Sequence, residues 1–323
     1  MKSFFKKAFV INFLHKQQLK RFDTLNNEQH ILYFNKINNE TSLHLDNHKF
    51  VSLHPDTFKN KEFNNLTEIR MINNSIKTLN NVFIHLPNLE VLNLSLNNIS
   101  NVSSDAFLGM SNLKTLNLSS NSIRFESTHL FDDLTNLIEL NISKQLLSQK
   151  ELFGMLSGCL EILKNMKHLK ILNVAGLFSG EELDLNLLNF LCDLETFICY
   201  GNKFHNIKPI SQLNVLSKLT KLDLADNRIS ELSVNVFQHL SSLTSLDLSL
   251  NLIYNLKEDS FSPLNSLQTL NLNRNPFKTI NSKAFQGLNN LQRLIIDAKS
   301  YDLIDLKNNL PFNVNCIVKK TNS

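Results

Sequence analysis

The sequence repeats itself at a constant step of 24 residues over much of its C-terminal half. Leucine recurs at Leu219, Leu243, Leu267 and Leu291, and each of these residues opens the same arrangement of apolar positions. The unit places leucine at its first, fourth and sixth positions, asparagine at the ninth and phenylalanine near its end. A fixed period of this kind predicts a stacked array, in which each unit buries its apolar face against its neighbours. Such an array presents a long, open surface.

The fourth and sixth positions of the unit predict a short β-strand. The two leucines flank one outward residue, which is the period-two pattern of a strand with one buried side. Because each strand is too short to be stable alone, we expect it to pair in parallel with its copies in adjacent units. Units of this type open at Leu66, Leu89, Leu113, Leu137, Leu169, Leu194, Leu219, Leu243, Leu267 and Leu291, and a degenerate unit precedes them around Leu43.

One asparagine per unit is predicted to hold the turn that follows the strand. Backbone groups that leave a strand in a buried position need hydrogen-bond partners, and a side-chain amide offers both donors and an acceptor. The predicted asparagine ladder consists of Asn74, Asn97, Asn121, Asn202, Asn227, Asn251 and Asn275. The pattern predicts interruptions at Gln145, Leu177 and Lys299, and His48 takes the asparagine position in the earliest unit.

The repeated pattern, with its phenylalanine column, resembles the leucine-rich repeat family. The column consists of Phe58, Phe107, Phe131, Phe237, Phe261 and Phe285. The form with about 24 residues per repeat is common in animal receptor ectodomains and matrix proteins. The resemblance implies an α/β solenoid, a horseshoe with a parallel concave β-sheet and a convex side of loops, 3-10 turns and helices. It also implies a role in binding other macromolecules.

The repeats predict two regions in the chain. Residues 39–323 are expected to form one solenoid of about eleven units, preceded by a basic, partly apolar N-terminal segment or capping helix at residues 1–38. Residues 1–21 fit a basic helix that covers the first repeat, a degenerate secretory signal, or a membrane-surface anchor. Membrane association is expected only through these residues, since no segment reaches the ~18 apolar residues that a membrane span requires.

The regular spacing breaks at residues 137–194. Leu137 and Leu169 are 32 residues apart, and the insertion includes Glu151–Met166, whose apolar residues follow helical spacing. Glu181–Leu191 also has an apolar pattern typical of a helix. We therefore predict helices on the convex side of these two units. They either change the local curvature, form a partner-binding protrusion, or are an insertion tolerated on the flank of a solenoid.

The cysteines favour a reducing compartment. Only Cys159, Cys192, Cys199 and Cys316 are present, and residues 1–65 contain none. Secreted members of the family that the chain resembles usually close both ends with disulfide-bonded caps. A cytoplasmic location is therefore favoured over a secreted or extracellular one. Cys199 takes an inward strand position and is expected to be a small buried hydrophobe, with a Cys192–Cys199 disulfide as the alternative.

The sequence contains no motif that supports catalysis or metal binding. It has no glycine-rich phosphate loop, no GxSxG, no HExxH and no paired CxxC. We therefore predict a protein that is not an enzyme and that needs no cofactor or metal. The net charge of +4 is too small to indicate nucleic acid or an anionic membrane as the partner.

The predicted binding surface is the concave face of the sheet. Acidic and basic residues are nearly balanced at its outward positions, which favours a protein ligand over a polyanion. Tyr200 is the one aromatic residue among these positions, and exposed apolar or aromatic side chains are candidate interface anchors. The alternative for the asparagines is a structural role in the repeat. The candidate partner-binding residues are Arg70, Asn93, Asn117, Asn141, Ile198, Tyr200, Asp223, Asp226, Asp247, Asn271 and Arg274.

These observations predict a non-catalytic protein-binding module whose site is centred on residues 198–247. The leading version is an intracellular adaptor or interaction protein. An extracellular receptor-like or matrix-type protein is the first alternative, and a substrate-selecting subunit of an enzyme complex is the second. The sequence does not indicate an oligomeric state.

Overall fold

The structure, a computed structural model, consists of two compact units. It describes residues 31–32, 41–125, 127, 129–148, 162–180, 182–209, 216–233, 235–281, 283–297 and 315–319. The first unit contains the residues up to Leu137 together with Gln145–Leu147, and the second contains Ile138–Lys144 together with the residues from Ser148 onward. Each unit is a solenoid built on parallel strands, so the predicted fold class is confirmed.

Four short strands form the parallel sheet of the first unit. They are Ser42–His44, Glu68–Arg70, Val91–Asn93 and Thr115–Asn117. Each residue pairs with its counterpart one repeat along, as Arg70 does with Asn93. Further two-residue strands pair in parallel, Ile31–Leu32 with Ser52–Leu53 and Thr78–Leu79 with Asn101–Val102, and Lys61–Asn65 form a 3-10 helix.

Eight strands form the parallel sheet of the second unit. They are Glu139–Asn141, Ile171–Asn173, Thr196–Ile198, Lys221–Asp223, Ser245–Asp247, Thr269–Asn271, Arg293–Asp297 and Asn315–Lys319. Neighbouring strands pair in register throughout. Separate parallel pairs join Glu182–Asp184 to Asn206–Lys208 and Asn255–Leu256 to Thr279–Ile280, and Leu185–Leu188 form a 3-10 helix.

The core of each repeat is built from its three leucine positions. In the strand Ser245–Asp247 the central leucine is buried and its two neighbours are half-buried. Leu243 and Leu248, at the first and sixth positions of the same repeat, are also buried. Burying one leucine contributes about 1.5–3 kcal/mol. Three such residues per repeat therefore stabilise a strand that is too short to persist alone.

The predicted phenylalanine column is confirmed in both units, and all six of its members are buried. In the second unit, Phe261 stacks on Phe237 and on Phe285 at ring-centroid distances of 6.0 and 5.9 Å. In the first unit, the rings of Phe107 and Phe131 lie 5.6 Å apart and are tilted. Each ring thus fills space between successive repeats.

The asparagine ladder is confirmed, and its seven predicted members are buried. Asn227 shows how each rung works. Its Nδ2 donates to the carbonyl oxygens of Cys199 at 3.1 Å and Leu224 at 3.0 Å. Its Oδ1 accepts from the backbone N–H groups of Asn202 and Phe204, both at 3.1 Å. One amide therefore satisfies backbone groups of two successive turns, which would otherwise be buried without partners.

The predicted interruption of the ladder at Gln145 is wrong. Its Nε2 donates to the carbonyl oxygen of Leu118 at 3.0 Å, and its Oε1 accepts from the N–H of Ile123 at 2.9 Å. A glutamine side chain ends in the same amide as asparagine, so it fills the same position. Leu177 does interrupt the ladder, because its side chain is buried and apolar. Lys299 lies outside the described residues.

The helix predicted over Glu181–Leu191 is confirmed only as a short 3-10 helix and is wrong for the residues before it. Glu182–Asp184 form a strand, and a 3-10 helix follows at Leu185–Leu188. The strand is stabilised by parallel pairing with Asn206–Lys208. The Asp184 carboxylate caps the 3-10 helix by accepting from a backbone N–H two residues ahead at 2.9 Å. Pairing with the next repeat therefore overrides the helical spacing of the leucines.

Two further predictions fall outside the described residues. Residues 151–161 of the helix predicted within Glu151–Met166 lie outside the described residues, and residues 162–166 form a turn instead of the end of a helix. The three interpretations of residues 1–21 also concern residues that are not described. Within the predicted N-terminal segment, the described part is the strand Ile31–Leu32. In the part of the chain that the structure describes, no helix has the length and apolar character needed to cross a membrane.

Replacement of a ladder asparagine is expected to destabilise the fold. Asn227→Ala removes the bonds to both turns and should lower the free energy of unfolding by about 1–3 kcal/mol, because buried backbone groups lose their partners. Asn289→Ala, at an exposed residue of the same unit, is the control and should cost far less. Chemical denaturation of the two variants measures the difference. Equal destabilisation would contradict the role of the ladder.

Candidate functional site

The candidate site is the sheet face of the second unit, meaning the outward side chains of its parallel strands. The third strand residues form its central column: Asn141, Asn173, Ile198, Asp223, Asp247, Asn271 and Ile295, which pair in register. Adjacent parallel strands lie about 4.8 Å apart, so these half-buried side chains form a continuous row. The fold thus brings five of the predicted site residues together in one column.

Polar side chains of the central column bind the ends of their own strands. Oδ1 of Asn141 accepts from the backbone N–H and the hydroxyl of Ser143 at 3.1 and 2.7 Å. Asp247 binds the equivalent serine at 2.8 and 2.6 Å. Asn173 and Asp223 each accept from the backbone N–H two residues ahead, at 3.1 and 3.0 Å. One oxygen of each side chain therefore has a structural role.

Asp223 and Asp247 form a pair of carboxylates in the middle of this column. They occupy paired positions on neighbouring strands. Oδ2 of Asp247 accepts from Nδ2 of Asn271 at 2.8 Å, whereas the second oxygen of Asp223 has no hydrogen bond to a described residue. Partial burial raises the pKa of Asp223 above its ordinary value, the N–H of Ala225 opposes this shift, and the charge of Asp247 adds to it. A cation placed beside the pair would favour the charged form.

Tyr200 is half-buried, and its ring is in contact with a lysine from two repeats earlier. Nζ of Lys144 lies 5.6 Å from the ring centroid, which is a cation–π contact. The lysine passes over the intervening repeat at Gly176, where an added Cβ would lie 3.8 Å from its Cγ. On the other side of the tyrosine, an added Cβ at Gly201 would lie 3.8 Å from Oδ2 of Asp226. The positive charge of Lys144 and the negative charge of Asp226 therefore lie on either side of the two glycines, Gly176 and Gly201.

The eighth residue of every repeat in this region has a left-handed backbone. The φ angles are 54° at Lys144, 59° at Gly176, 70° at Gly201, 51° at Asp226, 56° at Leu250 and 57° at Arg274. This geometry lets the N–H reach the next repeat, as the 2.9 Å bond from Leu250 to the carbonyl of Asn273 shows. Because leucine adopts this φ at Leu250, the geometry alone does not require glycine at the two glycine positions.

The remaining candidate residues differ in what they contact. Asp226 and Arg274 are exposed at eighth positions, and the backbone N–H of Arg274 donates to Oδ2 of Asp297 at 2.6 Å. Leu250, at the same position of the repeat between them, is 42% exposed. The structure therefore adds an apolar side chain to this edge of the face.

Three candidate residues belong to the sheet of the first unit. Arg70 forms an ion pair with Asp46 at 3.0 Å. Asn93 and Asn117 each accept hydrogen bonds from the serine two residues ahead, as Asn141 does in the second unit. Leu96 is 52% exposed on this unit. These residues belong to the surface of the first unit, and they contain no carboxylate pair of the kind formed by Asp223 and Asp247.

Charge on the sheet face of the second unit is only partly neutralised within the face. Nζ of Lys170 forms an ion pair with Glu195 at 2.8 Å across neighbouring strands. Asp223, Asp226 and Asp247, in contrast, make no ion pair with any described residue. Near Ile198 and Tyr200 the face therefore carries three carboxylates and two exposed lysines, Lys144 and Lys221, none of which forms an ion pair with a described residue.

The contact of Lys144 with Tyr200 was not among the sequence predictions. The two residues occupy different positions in their repeats, the eighth and the seventh, and they lie 56 positions apart across the irregular spacing. A possible signal was the glycine at position 176, which leaves the intervening repeat without a side chain. The pairing of Lys170 with Glu195 was likewise not predicted, although opposite charges at second positions of adjacent repeats would have indicated it.

The described residues provide little for metal or thiol chemistry. They contain no group of three histidine, cysteine, aspartate or glutamate residues arranged to hold a metal ion. Cys192 is exposed and Cys199 is buried, and both are free thiols, so the Cys192–Cys199 disulfide considered from the sequence does not form in this structure. Burial raises the pKa of the Cys199 thiol, while the hydrogen bond from Asn202 opposes the shift. Cys199 therefore behaves as the small buried hydrophobe that was predicted.

Solved structures with similar folds come from diverse proteins. A chain of the TLR13–ssRNA13 complex has a TM-score of 0.64 and 23% identity, over 86% of this chain and 43% of that one. A leucine-rich-repeat protein of Leptospira interrogans has a TM-score of 0.62 and 23% identity, over 85% and 71%. A chain of the Drosophila Toll–Spatzle complex has a TM-score of 0.64 and 21% identity, over 88% and 41%. The chain thus spans about two fifths of the matched chains in the TLR13 and Toll complexes, and the likeness is one of fold.

Sequence comparison supports the same assignment. A search of curated proteins gives no match. The family model described as leucine rich repeat matches residues 41–99, 87–147, 198–253, 217–277 and 241–298. These segments include the ladder amides, the phenylalanine column and most of the sheet strands of both units. The chain therefore belongs to the leucine-rich repeat family.

Proposed function

We propose that this protein is a non-catalytic binding module that recognises a protein partner on the sheet face of its second unit. The observation that carries the proposal is the grouping of half-buried Ile198 and Tyr200 with three carboxylates that have no ion pair among the described residues. Amphipathic aromatic and aliphatic side chains next to polar groups are typical of interface anchors. Membership of a family built from open repeat arrays supports an interaction role.

A protein suits this face better than a nucleic acid does. The similar folds named above include one in a complex with RNA and one in a complex with Spatzle, so the fold serves more than one class of ligand. Binding of a nucleic acid depends on basic side chains that neutralise phosphates. The centre of the proposed site instead carries the carboxylates of Asp223, Asp226 and Asp247, which would repel the phosphates.

We place the protein in a reducing compartment, where it would act as an intracellular adaptor. The free thiols of Cys192 and Cys199 support this version. An extracellular receptor-like protein is the second candidate, and the similarity of fold to chains of the Toll and TLR13 complexes favours it. A substrate-selecting subunit of an enzyme complex would use the same face.

Removal of the proposed anchors should abolish binding without unfolding the protein. Tyr200→Ala combined with Asp223→Asn is expected to weaken partner binding by about 2 kcal/mol or more, roughly 30-fold. Alanine occupies the position of Tyr200 in the two adjacent repeats, and asparagine occupies the position of Asp223 elsewhere in the column, so the melting temperature should change little. Pull-down with the intact chain, with the captured proteins identified by mass spectrometry, compares variant and wild type.

The control for this experiment is Glu182→Ala, because Glu182 is exposed on a short strand outside the main sheet. It should capture the same proteins as the wild type. If the Tyr200 and Asp223 variant still captured the partner and the Glu182 variant did not, the binding site would lie on the irregular repeats and not on the sheet face.

The compartment makes a separate prediction about thiols and glycans. If the protein is intracellular, Cys159, Cys192, Cys199 and Cys316 should all be reduced in native material, because disulfides are rare in reducing compartments. Exposed Asn98, which starts an Asn-Ile-Ser sequence, should carry no glycan, and Asn39 should carry none either. Intact-mass measurement with and without a thiol-alkylating reagent tests both points. Disulfide-linked cysteines, or mass removed by a glycosidase, would favour the extracellular candidate.

A further inference from the structure

The contact between Lys144 and Tyr200 indicates which kind of partner side chain the sheet face accepts. We infer that the partner anchors itself with a cationic side chain, an arginine or a lysine, which takes the place of Lys144 on the Tyr200 ring and is held by the carboxylates of Asp223, Asp226 and Asp247. This inference rests on the proposed function and specifies the chemistry of the partner at that same site.

The first step is that the tyrosine ring already holds a cation in the free protein. Nζ of Lys144 lies 5.6 Å from the ring centroid. Lys144 is exposed and makes no ion pair with a described residue, so its ammonium group is held chiefly by the ring. An exposed cation–π contact changes an equilibrium constant by only about two- to five-fold. A partner cation that also meets carboxylates can therefore displace it.

The second step is that the carboxylates near the ring make no ion pair with a described residue, although Lys144 covers the ring itself. Asp223 and Asp247 lie on neighbouring strands in register. Oδ2 of Asp226 lies 3.8 Å from an added Cβ on Gly201, the residue after Tyr200, so this carboxylate lies over the glycine. On the same face, the charge of Glu195 is already neutralised by Lys170, whose Nζ lies 2.8 Å from Oε1 of the glutamate. Charge complementarity therefore points to a cation at Tyr200.

The third step is that the fold leaves room for an incoming side chain. Gly176 and Gly201 occupy the eighth position of adjacent repeats, between Lys144 and Asp226. Leu250 holds the same position at φ 56°, so glycine is not required by the backbone there. Over two strand spacings, about 10 Å, the backbone therefore carries no side chain of its own at this position, and displacement of Lys144 would uncover Gly176. Glycine allows a ligand or another backbone to approach closely.

Selection from random peptides tests the inference without a known partner. A library of 12-residue peptides displayed on phage would be selected on the intact wild-type chain, and the binders would be sequenced and synthesised. The binders should be enriched in arginine or lysine over the unselected library. Replacement of the critical cation by glutamine should weaken binding at least ten-fold, measured as a dissociation constant by fluorescence anisotropy.

Variants of the protein then test how the cation is held. Lys144→Gln should strengthen binding about two- to five-fold, because the competing ammonium is removed. Gly201→Asn should weaken binding at least ten-fold, because its side chain would occupy the space over the glycine. Asparagine is chosen because it tolerates positive φ. Ser120→Asn is the matched control, since it introduces the same side chain at the eighth position of a repeat in the first unit, where φ is 55°, and it should leave binding unchanged.

The outcomes separate this inference from the proposed function. Weaker binding with Lys144→Gln would show that Lys144 itself contacts an acidic partner, which would overturn the cationic anchor. Selected peptides that are not enriched in arginine or lysine would overturn it too, and so would displacement of the peptide by single-stranded RNA. If Tyr200→Ala with Asp223→Asn abolishes binding while Gly201→Asn and Lys144→Gln do not alter it, the face is the site but the anchor is not cationic. If none of these variants alters binding, the proposed function fails as well.

Discussion

The structure depends on one recurring interaction, the bond between a buried side-chain amide and the backbone groups of successive turns. A repeat with a three-residue strand must turn out of the sheet immediately, and its backbone groups then lie inside the array, away from water. Asn227 and its equivalents provide both donors and acceptors at these points. Leucine burial supplies much of the favourable free energy, but without the amides the turns would hold unsatisfied polar groups. Gln145 shows that the requirement is for the amide and not for asparagine itself.

Backbone N–H groups at the strand ends also need hydrogen-bond partners. On the sheet face, some side-chain oxygens meet this need, and others remain available to a partner. One oxygen of each polar residue in the central column of the second unit accepts from the backbone N–H two residues ahead. The side-chain oxygen of an asparagine accepts this bond as that of an aspartate does, so the local fold does not require a negative charge. Asp223 and Asp247 therefore bring charge to positions where the repeat tolerates an amide, and they do so on paired strands. Charge that the fold does not need is a reason to look for a role in recognition.

Residues from four consecutive repeats shape the surroundings of Tyr200. Lys144 reaches the ring because Gly176 has no side chain between them, and Asp226 leans over Gly201 for the same reason. The left-handed backbone at these positions is shared by residues as different as leucine and arginine. What distinguishes this stretch is thus the absence of side chains and the opposite charges at its two ends, rather than its backbone conformation.

The sequence by itself determined the repeat, the strand positions, the phenylalanine column, most of the ladder and the leucine-rich-repeat fold, because each of these depends on contacts that recur at a constant spacing. It also indicated that Cys199 is buried. Only the tertiary structure decided that Gln145 continues the ladder, that Glu182–Asp184 pair as a strand, and that Lys144 covers Tyr200. These features depend on which side chains meet across neighbouring repeats where the spacing is irregular. Local periodicity reports which side of an element is buried, but it carries no information about such individual contacts.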